Sequence, residues 1–412
     1  MDDIFSLTEV ADMLSVSKET LRRWDNNGKL KAYRHPINNY RIYKKEQLKQ
    51  FDELGFIFNN SPKHYERPIK NYTAIELFAG CGGLGIGLEQ AGINCSLLND
   101  NDKWCCQTLR KNRPHWNVIE GDIGEIDFSY YNKKADIVTG GFPCQAFSYA
   151  GNKKGFLDAR GNLFYKYADA VKSIRPKIFL IENVKGLLKH DNGRTIETML
   201  SFMRDLGYRV LEPKCLKALF YRVPQKRERT IIVGIRNDIS IDFNYPEPHN
   251  KIYNLKDALK KSELYTSDVA YSEGTKYPQR KKEILEYVPQ GGYWRDLPLK
   301  LQKEYMKKSY YLGGGKTGMA RRMSWNEPSL TLTCSPAQKQ TERCHPEETR
   351  PFTVREYARI QTFPDNWVFC GSISQQYKQI GNAVPVNMAT DLGYSLVEFL
   401  NEYYQSSTNT IS

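Results

Sequence analysis

Three groups of side chains could combine into nucleophilic chemistry. Cys144 stands behind Pro143 in "GGFPCQAFS", residues 140–148, at the mouth of a glycine-rich turn that follows Ile137 and Val138. A buried structural cysteine needs no such setting. An attacking thiolate does, because it must be both formed and accessible. On this stretch alone, an inert loop thiol is the competing reading. Glu182 and Asn183 close the apolar run "KIFLIEN". A carboxylate there serves as a helix cap or ion-pair partner; beside a nucleophilic thiol it could act as an acid or hydrogen-bond partner for a ring nitrogen. Gln225, Arg227 and Arg229 crowd into "VPQKRERTIIV" ahead of another apolar run, and by themselves they read as a surface charge cluster.

A second set of residues suits a small ligand. "FAGCGG" at 78–83 follows an apolar stretch and opens a helical one, and glycines there let backbone approach a ligand closely. A nucleotide, S-adenosylmethionine or a plain tight turn all satisfy that pattern. Asp100 in "LLNDND" lies about 20 residues further on, where a carboxylate suits a ribose diol. Asp122 in "GDI" ends a third apolar stretch. The loop lacks the Lys-Ser/Thr pair of a phosphate-gripping loop, which points to an adenosine ligand without a triphosphate.

The elements that must position these groups form a regular series. "AIELFAG", "CSLLND", "ADIVTGG", "KIFLIEN" and "RTIIVGI" are short apolar runs separated by helical stretches, which predicts a parallel sheet covered by helices. Cys144 then falls just past the carboxyl end of the fourth strand, the edge where doubly wound sheets bind ligands. The rhythm breaks after about residue 236. Helical patterning returns near "TVREYARIQ" and in "VNMATDLGYSLVEFLNEYY".

Residues 1–58 form a separate amphipathic unit. Ser6 and Glu9 make a capping-box pattern, "SVS" a turn, and Ser17 the cap of a second helix, "KETLRRWD". "GKLKAYRHPINNYRIYKKEQL" predicts a hairpin wing followed by a helix. This order resembles the winged helix-turn-helix of MerR-like domains, which would place Lys18, Thr20, Arg22 and Arg23 on or beside a groove-facing helix. A small protein-contacting domain is the alternative. Residues 59–71, "NNSPKHYERPIKN", read as a linker.

Bulk properties narrow the partners. The net charge is +13, and residues 251–322 hold 16 Lys/Arg against 8 Asp/Glu together with nine Tyr, a mixture suited to nucleic acid. No apolar run approaches a membrane span, and the acidic start "MDDIFSLTEV" lacks a signal pattern, so a cytoplasmic protein is expected. The nine cysteines are scattered with no CxxC pair, which predicts reduced thiols and no metal site.

"ELFAGCGG", "GFPCQAFS", "ENVKGL", "PQKRER", "RPFTVREYARIQTFPD" and "QIGNAVPVN", in this order, closely resemble the DNA cytosine-5 methyltransferases of restriction–modification systems. The resemblance covers most of 73–400 and leaves out roughly 236–325. It implies a Rossmann-like α/β fold divided as a catalytic domain over 72–235, a target-recognition domain over 236–340, and motifs at 341–412 that return to the catalytic domain. It implies that Cys144 adds to carbon 6 of a flipped-out cytosine, that Glu182 holds and protonates ring nitrogen 3, that Arg229 grips the base oxygen, and that Arg227 grips the loop or phosphates. It implies an S-adenosylmethionine pocket of Phe78, Ala79, Gly80, Gly82, Gly83, Leu84, Asp100, Asn101, Asp122, Ile123, Gly141, Pro143 and Leu163, joined by Asn382 and Val384. Gln225 and the pair Thr331-Leu332 are expected to face DNA. Glu76 stands where the family usually has Asp, and Asn101 where some relatives have an aromatic ring. The implied partners are duplex DNA, met as a monomer, and a cognate restriction endonuclease. A tRNA cytosine-5 methyltransferase and a transcriptional regulator are the alternatives; the basic lobe and the helix-turn-helix favour DNA.

Overall fold

The computed structural model describes residues 4–35, 39–59, 63–143 and 163–409. The amino-terminal unit runs β1 (Ile4–Ser6), α1 (Leu7–Met13), α2 (Lys18–Asn26), β2 (Tyr33–Arg34) and β3 (Arg41–Lys44). Both predicted caps form. Ser6 Oγ accepts from Glu9 N at 3.2 Å while Glu9 Oε2 accepts from Ser6 N at 2.7 Å, and Ser17 Oγ accepts from Thr20 N at 2.9 Å. The wing is the antiparallel β2–β3 pair, with β1 added on the other side of β3. The helix expected after the wing is instead two 3-10 segments, Lys45–Gln50 and Asp52–Phe58, broken where Phe51 takes an extended conformation. Val10, Ala11, Met13, Leu21, Tyr43 and Leu48 are buried beneath these elements.

The main sheet is built from β4 (Thr73–Leu77), β5 (Asn94–Asp100), β6 (Val118–Glu120), β7 (Ile137–Gly140), β8 (Ile178–Val184), β9 (Tyr208–Val210), β10 (Lys214–Lys217) and β12 (Glu228–Arg236). The strand order is β10-β12-β8-β7-β4-β5-β6, with β9 also paired to β12. Helices α3 (Gly83–Gln90), α4 (Lys103–Asn112), α5 (Leu163–Ile174) and α6 (Arg194–Asp205) lie between successive strands. β8, β7, β4, β5 and β6 are parallel, as predicted, but "RTIIVGI" enters antiparallel to β8. A fully buried strand reads as a continuous apolar run in either direction. Its orientation follows from the β9 and β10 segments that precede and pair with it.

A short strand, β11 (Gln225–Lys226), pairs in parallel with β13 (Ser329–Leu330). Between them run α7 (Leu255–Leu259), α8 (Gln279–Leu285) and α9 (Leu299–Met306). The intervening lobe has its own core of Tyr277, Ile284, Leu285, Trp294, Tyr305 and Met306. That core begins later than residue 236, because Ile239, Phe243, Leu255 and Leu259 are buried with the catalytic body. The chain then returns through α10 (Val354–Ile360) and α11 (Ile373–Asn382) to α12 (Val386–Asn409), which packs across α3.

Residues 63–71 are not a free tether. Tyr65 stacks on Tyr394 of α12 at 4.1 Å and donates to Asp391 Oδ1 at 3.1 Å, and Asn401 Nδ2 donates to Glu66 Oε2 at 2.7 Å. The winged unit is likewise docked. Lys217 Nζ donates to the Met13 carbonyl at 2.8 Å, Lys226 pairs with Asp12 at 3.0 Å, and the rings of Phe56 and Phe220 meet at 4.7 Å.

Candidate active site at the carboxyl edge of the sheet

The chain moves outward from β4 to β5 and β6 and then returns to the other side of β4 as β7. This creates a topological switch point at the carboxyl ends of β4 and β7. Phe78, immediately after β4, has φ +58°, a backbone state costly for a bulky residue, and its ring meets Phe142 edge-on at 6.0 Å. Ala79 N donates to the Asn99 carbonyl at 2.9 Å, and Gly80 N donates to Asp100 Oδ2 at 2.8 Å. Among the described residues, nothing lies within 4 Å of where a Cβ on Gly80 would stand, so the loop faces away from them there. Gly83 is needed for the opposite reason: a Cβ would stand 2.2 Å from the Val384 carbonyl oxygen. Gly82 and the buried Leu84 complete this turn into α3, and the far end of the chain seals it with buried Val384 and exposed Asn382.

Asp100 is a loop clamp as well as a strand-end acid. Its other oxygen accepts from Asp102 N at 2.8 Å, and burial holds its carboxyl above the ordinary range. Asn101 and Asp122 are exposed beside it, and Ile123 is buried. Asp122 is held below the ordinary range by Lys166, 2.7 Å away. Leu163, half-buried at the start of α5, packs on the same side of the sheet. Beneath the loop, Glu76 is fully enclosed with Oε2 unpartnered, and burial pushes its pKa up to about 8. Gly85 makes room for this longer acid: a Cβ there would lie 2.6 Å from Glu76 Oε2.

Across the switch point lies a second group. Glu182 sits near the end of β8, 9% exposed, with Oε1 held 2.5 Å from Arg229 Nε. The antiparallel register, with Ile231 opposite Glu182 and Arg229 opposite Val184, lets the arginine reach back to the acid. Gly141 leaves space for the carboxylate, since a Cβ would stand 2.9 Å from Glu182 Oε2. Arg229 Nη1 donates to the Glu228 carbonyl at 2.8 Å, while Nη2 makes no hydrogen bond among the described residues. Asn183, given no role from sequence, donates to the Phe142 carbonyl at 3.0 Å and so fixes the chain just before Pro143. Pro143 is exposed. Cys144 lies outside the described residues.

Arg227 requires a correction. It is 1% exposed and donates to the carbonyls of Leu332 at 3.2 Å, Gly381 at 2.9 Å and Ala383 at 3.0 Å. Burial, with Arg229 nearby, lowers its pKa to about 9. Among the described residues its guanidinium is spent on these three carbonyls instead of facing outward, and it ties Leu332 to the carboxyl-terminal motif. Gln225 is corrected on the same grounds. It is fully buried, accepting from Leu332 N at 2.9 Å and donating to Gln361 Oε1 at 2.8 Å. Leu332 is buried too, and Thr331 donates its hydroxyl to the Lys226 carbonyl at 2.6 Å. Thr331-Leu332 thus fastens the lobe to β11. Gln361, which extends this relay to Ile380 O at 2.7 Å, was invisible as a site residue because its partners are distant in sequence.

On α2 the expected DNA face is partly committed. Lys18 pairs with Glu327 of the lobe at 3.1 Å, Thr20 bonds Ser17 at 2.8 Å, and Arg22 pairs with Glu19 at 2.8 Å. Arg23 remains exposed. Among the described residues there is no cluster of metal-ligating side chains, and no helix is long and apolar enough to cross a membrane.

A glycine loop with strand-end acids on one side of a switch point and a Glu–Arg pair on the other gives an α/β fold with two groups of polar side chains at one sheet edge. Comparison with known proteins makes this specific. Residues 72–398 match the C-5 cytosine-specific DNA methylase family, and residues 6–43 match the MerR family of regulatory proteins. The type II methyltransferase M.Eco47II of Escherichia coli is 64% identical over 401 residues, covering 97% of this chain and 96% of that one. M.Sau96I of Staphylococcus aureus is 51% identical over 342 residues, 82% of this chain and 78% of that protein. The Spodoptera frugiperda DNMT2 structure shares the fold with a TM-score of 0.57 at 16% identity, covering 79% of this chain and 99% of that one. The chain belongs to the C-5 cytosine-specific DNA methylase family and is a type II methyltransferase acting on DNA.

Proposed function

We propose that the enzyme transfers a methyl group from S-adenosylmethionine to carbon 5 of a cytosine flipped out of duplex DNA, through a transient Cys144 adduct. The observation that carries this is the Glu182–Arg229 pair, 2.5 Å apart, with Glu182 against Gly141, three residues before Cys144 in the chain. Carbon 5 of cytosine is a weak nucleophile. The Cys144 thiolate adds to carbon 6, Glu182 protonates ring nitrogen 3, and the free Nη2 of Arg229 holds the base oxygen, so the added electron pair reaches carbon 5. After carbon 5 is methylated, solvent water takes its proton, the Cys144–carbon 6 bond breaks to restore the thiolate, and ring nitrogen 3 returns its proton to Glu182, restoring the aromatic ring. The base must leave the stack first, which costs a few kcal/mol.

Four of the described cysteines are poorly suited to this role. Burial pushes the thiols of Cys81, Cys95, Cys105 and Cys106 up, away from the thiolate form. The cofactor fits the other side of the switch point, where Gly80 faces away from the described residues and Phe78, Asn101 and Asp122 stand at neighbouring strand ends. When bound there, the sulfonium supplies an electrophilic methyl group. The reading includes a monomer on duplex DNA, a cytoplasmic setting and a cognate endonuclease whose site the methylation protects.

Cys144→Ala is expected to abolish methyl transfer while retaining cofactor and DNA binding, and a duplex with 5-fluorocytosine at the target is expected to trap a denaturant-stable adduct with the unaltered enzyme. Appreciable turnover by the folded alanine variant, or no adduct, overturns the covalent role. The MerR-family match favours a second activity, transcriptional repression by the winged unit. Repression of a reporter under the enzyme's own promoter by full-length Cys144→Ala tests it.

A further inference from the structure

The lobe's arginines differ in what occupies them. Arg280 pairs with Glu304 and Glu283, and Arg295 lies over the Trp294 ring. Arg322 donates to the carbonyls of Val288 at 2.7 Å, Leu285 at 2.9 Å and His345 at 3.2 Å. Arg343 donates to the Thr331 carbonyl at 2.6 Å. Arg321 is half-buried, yet it makes no side-chain hydrogen bond or ion pair among the described residues, and its Nε is sealed from solvent without a partner. Glu327, the first acid acting on it, is already engaged by Lys18 and Lys226.

The mounting is rigid. Cys344 N donates to the Arg321 carbonyl at 3.0 Å, and the Arg322–Cys344 bridge sets Arg321 alongside Arg343. From Arg343 the path is short: it holds Thr331, whose hydroxyl bonds Lys226 next to Arg227, two residues from Arg229. A half-buried fork with its donors unassigned, fixed beside the segment that joins lobe and base site, lacks its acceptors. We propose that Arg321 reads a guanine in the target sequence, donating both arms to O6 and N7 in the major groove. This rests on the DNA-methyltransferase reading above. A phosphate is the other acceptor DNA offers, and it carries no sequence information.

The methylated sequence is first read by bisulfite sequencing of plasmid from an expressing strain. Duplexes of that sequence are then made with each guanine in turn replaced by 7-deazaguanine, which lacks the N7 acceptor. The unaltered enzyme is expected to lose kcat/KM roughly ten- to hundredfold at the contacted position. Arg321→Ala is expected to show a comparable loss on unmodified DNA and no further loss at that one position. Arg321→Lys, which keeps the charge but not the fork, is expected to behave like Arg321→Ala. Three results overturn the proposal: unchanged rate and site choice, a uniform loss across sequences rescued by lysine, or loss of cofactor binding in both variants. The first makes Arg321 idle, the second a phosphate contact, the third a structural residue. If the unaltered enzyme methylates no cytosine, the parent reading has failed instead.

Discussion

The docked winged unit and the carboxyl edge of the main sheet were both expected to present side chains to a ligand, and they treat those side chains differently. In the winged unit, Lys18 and Arg22 are drawn into ion pairs, one of them with Glu327 of the lobe. At the sheet edge, Asn101, Pro143 and Asn382 stay exposed around a loop whose geometry is held from behind, and Asp122, also exposed, pairs with Lys166. The contrast recurs between Arg227 and Arg229, two residues apart, one fully committed to three carbonyls and the other facing Glu182. Charge in a sequence is therefore a poor measure of charge available to a partner. Position at a strand end is a better one.

The largest effect expected from sharpening this comparison is at Glu182. Glu182→Gln keeps the shape and removes the acid, so kcat is expected to fall about a hundred- to ten-thousandfold with cofactor affinity unchanged by calorimetry. An unchanged kcat would make the Glu182–Arg229 pair purely structural.

Arg227→Ala probes the opposite kind of residue. It leaves three buried carbonyls without their donor, and about 3 kcal/mol or more of stability is expected to be lost in urea unfolding. Arg227→Lys should rescue little, because one ammonium cannot span the acceptors at Leu332, Gly381 and Ala383. If both variants keep full stability and lose only DNA affinity, Arg227 faces outward after all.

Glu76 gives a pH signature of the enclosed side of the loop. Its pKa in the fold is about 8, above the unfolded value of about 4.5, so between those values the folded state holds a proton that the unfolded chain has released. Its contribution is fully present below the unfolded pKa and is lost as pH rises towards 8. The loss is about 1.4 kcal/mol for each pH unit in that window. Glu76→Gln is expected to flatten that fall when stability is followed by denaturant unfolding from pH 5 to 8. A parallel slope in both proteins would place the proton elsewhere.

The smallest effect concerns α2. Lys18 is paired with Glu327 across a partly exposed contact, worth less than about 1 kcal/mol. Lys18→Ala should therefore leave the salt dependence of DNA binding nearly unchanged. Arg23→Ala should flatten it by nearly one unit of log–log slope if the winged unit contacts phosphates. Equal slopes for both variants would remove α2 from the DNA surface.

Much of this architecture is legible in the chain because it depends on neighbours. Ser6 with Glu9, and Ser17 with Thr20, cap helices within three residues, and the glycines of "FAGCGG" mark a strand-to-helix turn wherever they occur. The apolar runs announce buried strands, and the ordered motifs place Glu182 and Arg229 at one edge. What residue spacing cannot encode is which way a polar side chain turns once the fold closes. Gln225, Arg227 and Lys226 find partners about 100 residues or more away at Gln361, Leu332, Gly381 and Glu327, and only the closed fold brings these together. The same holds for the docking of the winged unit and of residues 63–71, and for the direction of β12. A cap or a turn is satisfied by its own segment; a buried cation or amide must be satisfied by whatever the tertiary structure sets against it.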